Sequence, residues 1–316
     1  MATPKLIICG SIALDRIMNF SGKYRDLIKP DKLHVLSLSV ILDKLEETQG
    51  GVGANIAYSL GQLGEEPVLL GSVGPDAAEY LERLSSMGVD TGAVHISRLP
   101  TASFNVMTDS EDNQVGGFYP GAMADSAGLT LQPWADQDVV VSVSAHDSDA
   151  MRRLVAECRQ YDLRLIYDPG QQVSNNPADD LKAGVEQAEV LLANDYELGI
   201  ICEKLSTTPE AIKSKVPIVI TTLGKHGSFI EGAKIPEPIK ISICKAEQVV
   251  DPTGAGDGFR AGFLYGYLRQ WQLPACGRLG AAVASFVVEQ HGTQVRLSQE
   301  AIIKRYQETY QEEITL

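Results

Sequence analysis

The sequence reads DPTGAGDGFRAGF from Asp251 to Phe263, a glycine-rich turn that leads into a helical pattern. Gly254 and Gly256 let neighbouring backbone N–H groups point in one direction without interference from a Cβ atom. At a helix N-terminus these donors and the helix dipole form a site suited to an anion such as a phosphoryl group. Asp257 falls in the first helical turn, where a carboxylate can accept a hydroxyl proton. On this stretch alone the alternative is equally open: an acidic residue that stabilises its own helix, with glycines that serve packing.

Short apolar segments alternate with helical patterns along most of the 316 residues. Strands are predicted over residues 5–9, 67–73, 138–143, 164–167, 190–192 and 217–220. Helices are predicted over residues 54–63, 77–87, 148–161, 196–204, 255–270 and 275–289. Residues 242–250, before the glycine turn, also have a strand-like pattern. This alternation is typical of an α/β fold with a doubly wound, mostly parallel sheet flanked by helices.

Two regions break this alternation. Residues 12–40 and 93–118 alternate polar and apolar side chains, as in the run TASFNVM from Thr101 to Met107. Such a pattern indicates strands with one dry face and one face toward water or a ligand. We therefore predict one α/β domain over residues 1–316, with a small antiparallel β-sheet lid. The lid is discontinuous in sequence and comes from about residues 12–48 and 93–122.

Charge and composition exclude several classes of protein. The 41 acidic and 27 basic residues give a net charge of −14, which repels phosphodiester backbones, so we expect no nucleic-acid partner. Five scattered cysteines without CxxC spacing favour reduced thiols and a cytoplasmic protein. The start lacks the apolar run of a signal peptide, and no run approaches 18 apolar residues, so we expect no membrane span.

A second glycine cluster, QGGVGANIA from Gln49 to Ala57, opens another helix with Asn55 in its first turn. Together, this Gly-Gly-x-Gly-x-Asn segment and the later Asp-x-x-Gly-x-Gly-Asp segment resemble the two signatures of the ribokinase-like (PfkB) kinases, and the resemblance extends along nearly the entire chain. It implies an ATP-dependent kinase that phosphorylates a hydroxymethyl group. Asp257 is then the catalytic base, and Gly254, Ala255 and Gly256 hold the transferring phosphoryl group of ATP.

The resemblance also implies a substrate site near the first strand. Asp15, in the run GSIALD, corresponds to the position that binds substrate hydroxyls, and a carboxylate can accept two such donors. The alternative is an Asp that forms a turn after the strand. Gly51 and Asn55 correspond to positions that close the sugar site. Ser11 corresponds to a position that reaches the substrate in nucleoside kinases.

Ion sites follow from two further matches. Asn194 and Glu197 match the family's Asn-x-x-Glu motif, which organises Mg²⁺ and phosphate through water. The same spacing also fits a capping box, and both roles can hold together. Asp251 matches an acidic position beside a K⁺ site in many members, and the carbonyls near Thr253 and Gly292 are candidates to complete it. The alternative for Asp251 is a cap on its own turn.

The run TTLGKHG, from Thr221 to Gly227, resembles the turn that contacts the nucleotide in this family. Thr222 and Gly224 are expected near the ATP phosphates, and Gly227 permits the turn. Residues 291–293 lie where the family lines the adenine pocket. The sequence has no Gly-x-x-x-x-Gly-Lys-[Ser/Thr] motif, which excludes a P-loop enzyme.

Within the family, the amino-acid sequences of residues 71–76, 118–123, 168–172 and 257–263 resemble those of bacterial adenosine kinases. Phe104 and Phe118, on the predicted lid strands, are placed to sandwich a purine, unless they pack the core of the lid. Gln171 and Gln172 follow a strand and face the crevice where open sheets bind ligands. These features favour transfer of phosphate to the 5′-hydroxyl of adenosine.

Other substrates remain open because Gly170 and Gly258 stand where those adenosine kinases are expected to have Ser and Ala. The alternatives are a kinase of ribose, fructose or a related sugar, a guanosine or inosine kinase, and a non-catalytic nucleoside-binding relative. We also expect a homodimer through the lid, because residues 103–107 and 114–118 carry no charge and a small sheet has unpaired edges.

Overall fold

The architecture comes from a computed structural model, which describes residues 3–126 and 128–316. The strands are β1 (Lys5–Cys9), β2 (Ala13–Asn19), β3 (Lys44–Gly50), β4 (Val68–Leu70), β5 (Ser72–Val73), β6 (His95–Ile96), β7 (Ala102–Thr108), β8 (Gln114–Tyr119), β9 (Val139–Ser144), β10 (Arg164–Asp168), β11 (Val190–Asn194), β12 (Ile218–Thr222), β13 (Ser228–Glu231) and β14 (Ile239–Ile241). The helices are α1 (Tyr24–Leu27), α2 (Val52–Gln62), α3 (Ala78–Ser86), α4 (Ser148–Gln160), α5 (Ala178–Gln187), α6 (Asp195–Lys204), α7 (Pro209–Lys213), α8 (Ala255–Leu268), α9 (Leu273–Val287) and α10 (Gln299–Tyr310).

An eight-stranded sheet forms the centre, in the order β14-β13-β12-β11-β10-β9-β1-β4. The six strands from β4 to β12 in this order are parallel, and β13 and β14 add an antiparallel edge. Side chains of β1 alternate between the two faces of the sheet. Ile8 belongs to the apolar cluster that contains residues of α2, α3, α8, α9 and α10, whereas Ile7 belongs to the cluster that contains residues of α4, α5, α6 and α7. Both faces are therefore covered, which explains the uninterrupted apolar runs of the parallel strands. The predicted α/β fold is confirmed.

The predicted lid region forms a separate four-stranded sheet in the order β3-β2-β7-β8, which we call the lid sheet. Its outer pairs are antiparallel, but β2 and β7 run parallel, so the prediction of purely antiparallel strands was wrong. Alternating polarity reports which face a side chain occupies and carries no information on strand direction. The register puts Asp15 opposite Phe104, and Phe104 opposite Phe118, so these three side chains share one face.

Three local predictions were also wrong. Residues 67–73 are two strands, because the chain leaves the main sheet at Gly71, whose carbonyl accepts a hydrogen bond from His95, and β5 then pairs with β6. Residues 242–250 form no strand: Val250 donates its N–H to the carbonyl of Val288, at the end of α9. The region between β2 and β3 contains α1 and a 3-10 turn rather than a further strand. Among the described residues, none of the helices has the length and apolar character needed to cross a membrane.

Candidate active site

The predicted site residues converge where the parallel strands end. Ser11, Asp168, Asn194 and Thr222 lie at or just beyond the carboxyl ends of β1, β10, β11 and β12. Asn194 and Thr222 are register partners across the β11–β12 pair. This edge is where open α/β sheets bind ligands, because the loops that follow parallel strands all open on the same side.

A cleft of about 490 Å³ lies between this edge and the lid sheet. Its lining contains ten of the predicted residues: Ser11, Asp15, Gly51, Asn55, Phe104, Phe118, Gln171, Gln172, Gly254 and Asp257. It also contains residues that the sequence did not point to, among them Ala145 and Asn175. The cleft therefore joins the predicted substrate positions to the glycine turn in one space.

The glycine turn has the backbone geometry that the sequence predicted. Gly254 is the N-cap of α8 with φ of +79°, a left-handed conformation that favours glycine. A Cβ atom at this position would also lie 3.0 Å from the side chain of Thr293. Ala255 and Gly256 begin the helix, and Asp257 follows in its first turn. The N–H of Ala255 donates to the carbonyl of Pro252 at 3.2 Å, so it is not free as the sequence suggested. The N–H groups of Gly256 and Asp257, also in the first turn, are the candidates for binding an anion.

Asn55 connects the two glycine clusters. Its Nδ2 donates to Oδ2 of Asp257 at 2.8 Å. Its Oδ1 accepts from Oγ1 of Thr293 at 2.9 Å and from Nε2 of Gln294 at 3.2 Å. Because two donors hold the oxygen side of the amide, the nitrogen side faces Asp257. Asn55 thus lines the cleft, as predicted, and also orients the carboxylate, which the sequence did not reveal.

Burial raises the pKa of Asp257 to about 6. The charge of Arg260 and the hydrogen bond from Asn55 oppose this rise, whereas the charges of Asp168 and Glu197 add to it. At neutral pH the carboxylate is mostly ionised and still basic enough to accept a proton, as a general base requires.

Asp15 lies on the lid sheet at the other side of the cleft. Its side chain is half-buried, and burial raises its pKa. Within the described part of the chain, no group donates a hydrogen bond to its carboxylate. Its oxygens are therefore available to hydroxyl donors of a ligand.

Ser11 and Gly51 form a close contact between β1 and α2. The hydroxyl oxygen of Ser11 accepts the N–H of Val52 at 3.0 Å, so this side chain stabilises the start of α2 as well as lining the cleft. Gly51 has φ of +94°, and a Cβ atom there would lie 2.6 Å from the carbonyl oxygen of Ser11. A side chain at position 51 would push α2 away from the cleft.

The cleft wall opposite the sheet edge is aromatic. Phe104 and Phe118 are 40% and 47% exposed, so they are not packed inside a lid core. Gln171 and Gln172 lie on the 3-10 turn that follows β10, and Oε1 of Gln172 accepts from Nδ2 of Asn175 at 3.0 Å. These side chains offer two exposed aromatic rings and an amide edge to a ligand.

Asn194 and Glu197, expected from the sequence to act near the nucleotide, form a full capping box at the start of α6. The N–H of Glu197 donates to Oδ1 of Asn194 at 2.7 Å, and the N–H of Asn194 donates to Oε2 of Glu197 at 2.8 Å. Glu197 is 8% exposed, and burial raises its pKa. Gly224 and Gly227 bound the turn between β12 and β13, directly after Thr222.

The donor set near Glu197 fits Mg²⁺ held through water and phosphates. Its Oε1 takes no part in the capping box, and oxygen ligands are those that Mg²⁺ prefers. The described residues contain no group of three or more His, Cys, Asp or Glu placed to bind a metal directly. Mg²⁺ commonly binds to one or two carboxylates together with substrate phosphates, rather than in an all-protein cage.

Asp251 is engaged at both oxygens. Oδ1 accepts the N–H of Thr253 at 2.9 Å, and Oδ2 accepts the N–H of Gly292 at 3.3 Å. These bonds lower its pKa against the opposing effect of burial. The carboxylate thus ties the glycine turn to residues 291–293. It also caps its own turn, which was the alternative to a K⁺ site in the sequence analysis. Of those three residues, Thr293 lines the cleft and His291 is exposed.

Sequence reasoning missed a buried ion pair beside the glycine turn. Arg260 donates from Nε and Nη2 to the two oxygens of Asp168, at 2.5 and 2.6 Å. Both residues stand inside quoted motif segments, but their pairing joins positions 92 residues apart. The only sequence signal was the presence of one basic and one acidic residue in segments predicted to meet at the same sheet edge.

Comparisons with known proteins agree with this geometry. The sequence pattern of the pfkB family carbohydrate kinases matches residues 16–300. A nucleoside kinase of Methanothermobacter thermautotrophicus is 34% identical over 276 residues, which cover 86% of this chain and 88% of that protein. Fructoselysine 6-kinase of Escherichia coli is 30% identical over 77% of this chain and 90% of that protein.

Among solved structures, Burkholderia thailandensis nucleoside kinase in complex with inosine superposes with a TM-score of 0.86 at 30% identity. The superposition covers 98% of this chain and 100% of that one. The family pattern spans most of the sequence, and the glycine turn with Asp257 lies inside the matched region. The chain therefore belongs to the pfkB family of carbohydrate kinases, enzymes that transfer phosphate to an alcohol group.

Proposed function

We propose that this kinase phosphorylates the 5′-hydroxyl of a nucleoside with ATP, and that adenosine, converted to AMP, is its main substrate. The observation that carries the proposal is the placement of two carboxylates in one cleft. Asp15 accepts no hydrogen bond from the residues that the structure describes, and Asp257 lies beside the glycine turn. A ribose spanning them has its 2′ and 3′ hydroxyls at Asp15 and its 5′-hydroxyl at Asp257.

The nucleoside class is supported by the walls of the cleft and by the relatives. Phe104 and Phe118 provide exposed aromatic faces for a base, whereas a free sugar has no planar ring to stack on them. Gln171 and Gln172 offer amide groups that can read the edge of a base. Similar proteins are named nucleoside kinases, and one has inosine bound.

The proposed mechanism is direct transfer with the attacking and leaving oxygens in line. Asp257, oriented by Asn55, accepts the proton of the 5′-hydroxyl as that oxygen attacks the γ-phosphorus of ATP. The bond from this phosphorus to the β,γ-bridging oxygen breaks, and ADP leaves. The N–H groups of Gly254, Gly256 and Asp257 stabilise the charge on the phosphoryl oxygens, whereas that of Ala255 holds the turn through the carbonyl of Pro252. The lid sheet covers the cleft and excludes water that would otherwise hydrolyse ATP.

Two cations belong to the proposal. Asn194 and Glu197 would hold Mg²⁺ through water, and Thr222, Gly224 and Gly227, on the neighbouring strand end and turn, would lie near the ATP phosphates. Bound there, Mg²⁺ neutralises charge on the phosphate oxygens.

For K⁺, Asp251 and nearby carbonyls of Thr253 and Gly292 are the proposed ligands. Replacing K⁺ by a bulky organic cation should then lower activity severalfold. Unchanged activity would leave Asp251 as a cap only.

The second candidate is a different acceptor in the same cleft. The inosine-bound relative favours inosine or guanosine as the acceptor. The similarity to fructoselysine 6-kinase leaves sugars as alternative acceptors. A silent nucleoside-binding relative is disfavoured, because a protein that only binds has no use for a base at position 257 beside an open anion site.

A substrate panel tests the proposal. MgATP turnover would be measured with adenosine, inosine, guanosine, ribose and fructose, with AMP formation followed directly for adenosine. The expected result is the highest kcat/KM for adenosine. A preference for inosine or guanosine keeps the nucleoside class and corrects the base, and a preference for a free sugar overturns the class.

A further inference from the structure

The guanidinium of Arg260 lies between the glycine turn and the loop that follows β10. Its Nε and Nη2 form a two-bond fork with the carboxylate of Asp168, at 2.5 and 2.6 Å. The two side chains are 11% and 1% exposed, so this is a buried ion pair. A fork of this kind fixes both the position and the plane of the guanidinium.

The third nitrogen of Arg260 takes no part in the fork. Nη1 lies 2.6 Å from the point that a Cβ atom on Gly256 would occupy. Arg260 is four residues after Gly256 on α8, so its side chain reaches back along the helix to the first turn. The absence of a side chain at position 256 is what admits the guanidinium beside the anion site and Asp257.

The charged groups around Asp257 are unbalanced without this arginine. Asp168 acts on it from the end of β10 and Glu197 from α6, and both disfavour its ionised form. Arg260 from α8 and the amide of Asn55 from α2 favour it. A carboxylate that is partly removed from water and lies near two others needs a fixed positive charge to stay ionised. The protein as a whole has a net charge of −14, so its overall field does not provide this positive charge.

We propose that Arg260 is a positioning residue of the transfer site: Asp168 fixes its guanidinium beside Gly256, and from there its charge keeps Asp257 able to accept a proton at neutral pH. This rests on the proposed role of Asp257 as the base. The same fork also ties the loop of Gln171 and Gln172 to the glycine turn, because Asp168 is the last residue of β10.

The test is the pH profile of kcat/KM with the best nucleoside of the panel. Arg260→Met removes the charge but leaves Asp168 buried without a partner, which can unfold the protein by itself. The second variant, R260M/D168N, removes both charges with side chains of similar size. Arg260→Lys is the matched control that keeps the charge and loses the fork.

The expected result is an acid limb whose midpoint moves upward from about 6, by about one pH unit or more in R260M. It should move less but still upward in R260M/D168N, because Arg260 affects Asp257 more than Asp168 does. For a one-unit shift, the fraction of plateau activity that remains at pH 6 then falls from about one-half in the unmodified protein to about one-eleventh in the variant, a roughly fivefold change. The Lys variant should keep a midpoint close to that of the unmodified protein.

A second readout does not depend on turnover. The carboxyl carbon of Asp257 can be titrated by ¹³C NMR, with its signal assigned from its loss in Asp257→Asn, and should show the same displacement. If Arg260 only supports the fold, the plateau falls while both midpoints stay in place, and the proposal is wrong. Near-normal turnover of Asp257→Asn would instead overturn the proposed function itself, so the two failures are distinguishable.

Discussion

The main sheet and the lid sheet both contribute groups to the cleft, but the protein holds these groups differently. Asp257 and Asn55, on helices packed against the main sheet, are bonded to each other, and Asn55 is further held by Thr293 and Gln294. On the lid sheet, Asp15 has no donor in the described residues, and Phe104 is 40% exposed. Chemistry requires groups fixed before the substrate arrives, whereas recognition requires groups whose partners the substrate supplies.

This difference predicts different consequences for mutation. Groups on the main-sheet side should affect kcat, because their contacts act on the reacting atoms. Groups on the lid side should affect binding, because their bonding capacity is filled only by the ligand. The predictions that follow test this division.

Asp257→Asn should lower kcat by at least ~10², the range expected for loss of a general base, and leave the fold and nucleoside affinity unchanged. Steady-state kinetics and calorimetric titration with the nucleoside measure the two effects. The matched control is Asp149→Asn, which also removes an acidic residue from the first turn of a helix, α4, but does not line the cleft. Similar losses in both variants would mean that Asp257 only stabilises its helix.

Much of the transfer site was predictable, because glycine turns and acidic first turns are local features. The positions of Gly254, Gly51 and Asp257 follow from short runs of sequence whose backbone requirements can be stated residue by residue. The pairing of Arg260 with Asp168 was not predictable in this way. It depends on two distant segments meeting at one sheet edge, and neither segment alone carries a signal for the other.

The lid was predicted with less detail for a related reason. Alternation in residues 101–107 indicated a strand with two unlike faces, and β7 has them. The parallel pairing of β2 with β7 depends on where both strands leave the main body, with Ala13 beside Ala102, and polarity patterns do not encode that. The same limit applies to residues 242–250, whose polarity pattern is typical of a strand although the segment is irregular and pairs with no strand of the described residues.

Asp15→Ala should weaken nucleoside binding by roughly 1.5–3 kcal/mol, the range for a hydrogen bond to a charged group. The change should appear in Kd and leave the fold intact, because no described group depends on this carboxylate. The comparison ligand is the 2′-deoxynucleoside, which should lose much less from the same substitution. Equal losses for both ligands would show that Asp15 does not bind the 2′-hydroxyl.

The pH dependence follows from the raised pKa of Asp257, about 6. Protonation removes the acceptor, so kcat/KM should fall below pH 6 and reach about one-tenth of its plateau near pH 5. Between the unfolded value of 3.8 and 6, the native state binds a proton that the unfolded state does not, so this residue's contribution to stability decreases as pH rises through that window. A profile from pH 4.5 to 9 measures this limb, and activity that stays at its plateau down to pH 5 would contradict the assignment.

The smallest effect on turnover is expected at the face of the lid sheet that points away from the cleft. By register, Leu45, Met18, Met107 and Val115 form one row across all four strands of this face. Leu45 and Val115 are 63% and 61% exposed, and all six residues of β8 are exposed. An apolar row beside an uncharged edge strand is a surface that proteins usually cover.

We therefore expect a homodimer through the lid sheet, with a sedimenting mass at micromolar concentration of twice the 34.1 kDa chain. Val115→Lys places a charge in the middle of the apolar row and should give the single-chain mass, with kcat changed by less than about twofold, because Val115 points away from the reacting groups. Glu79→Lys, an exposed position on α3 outside the lid sheet, is the matched control for an added lysine and should stay dimeric. If the unmodified protein sediments with the mass of one chain, it is a monomer and the predicted dimer through the lid sheet is wrong. If Val115→Lys gives a monomer that has lost turnover, the partner's lid sheet supports the cleft. The lid sheet would then affect kcat through the dimer, and the division between main-sheet groups for chemistry and lid-sheet groups for binding would not hold within one chain.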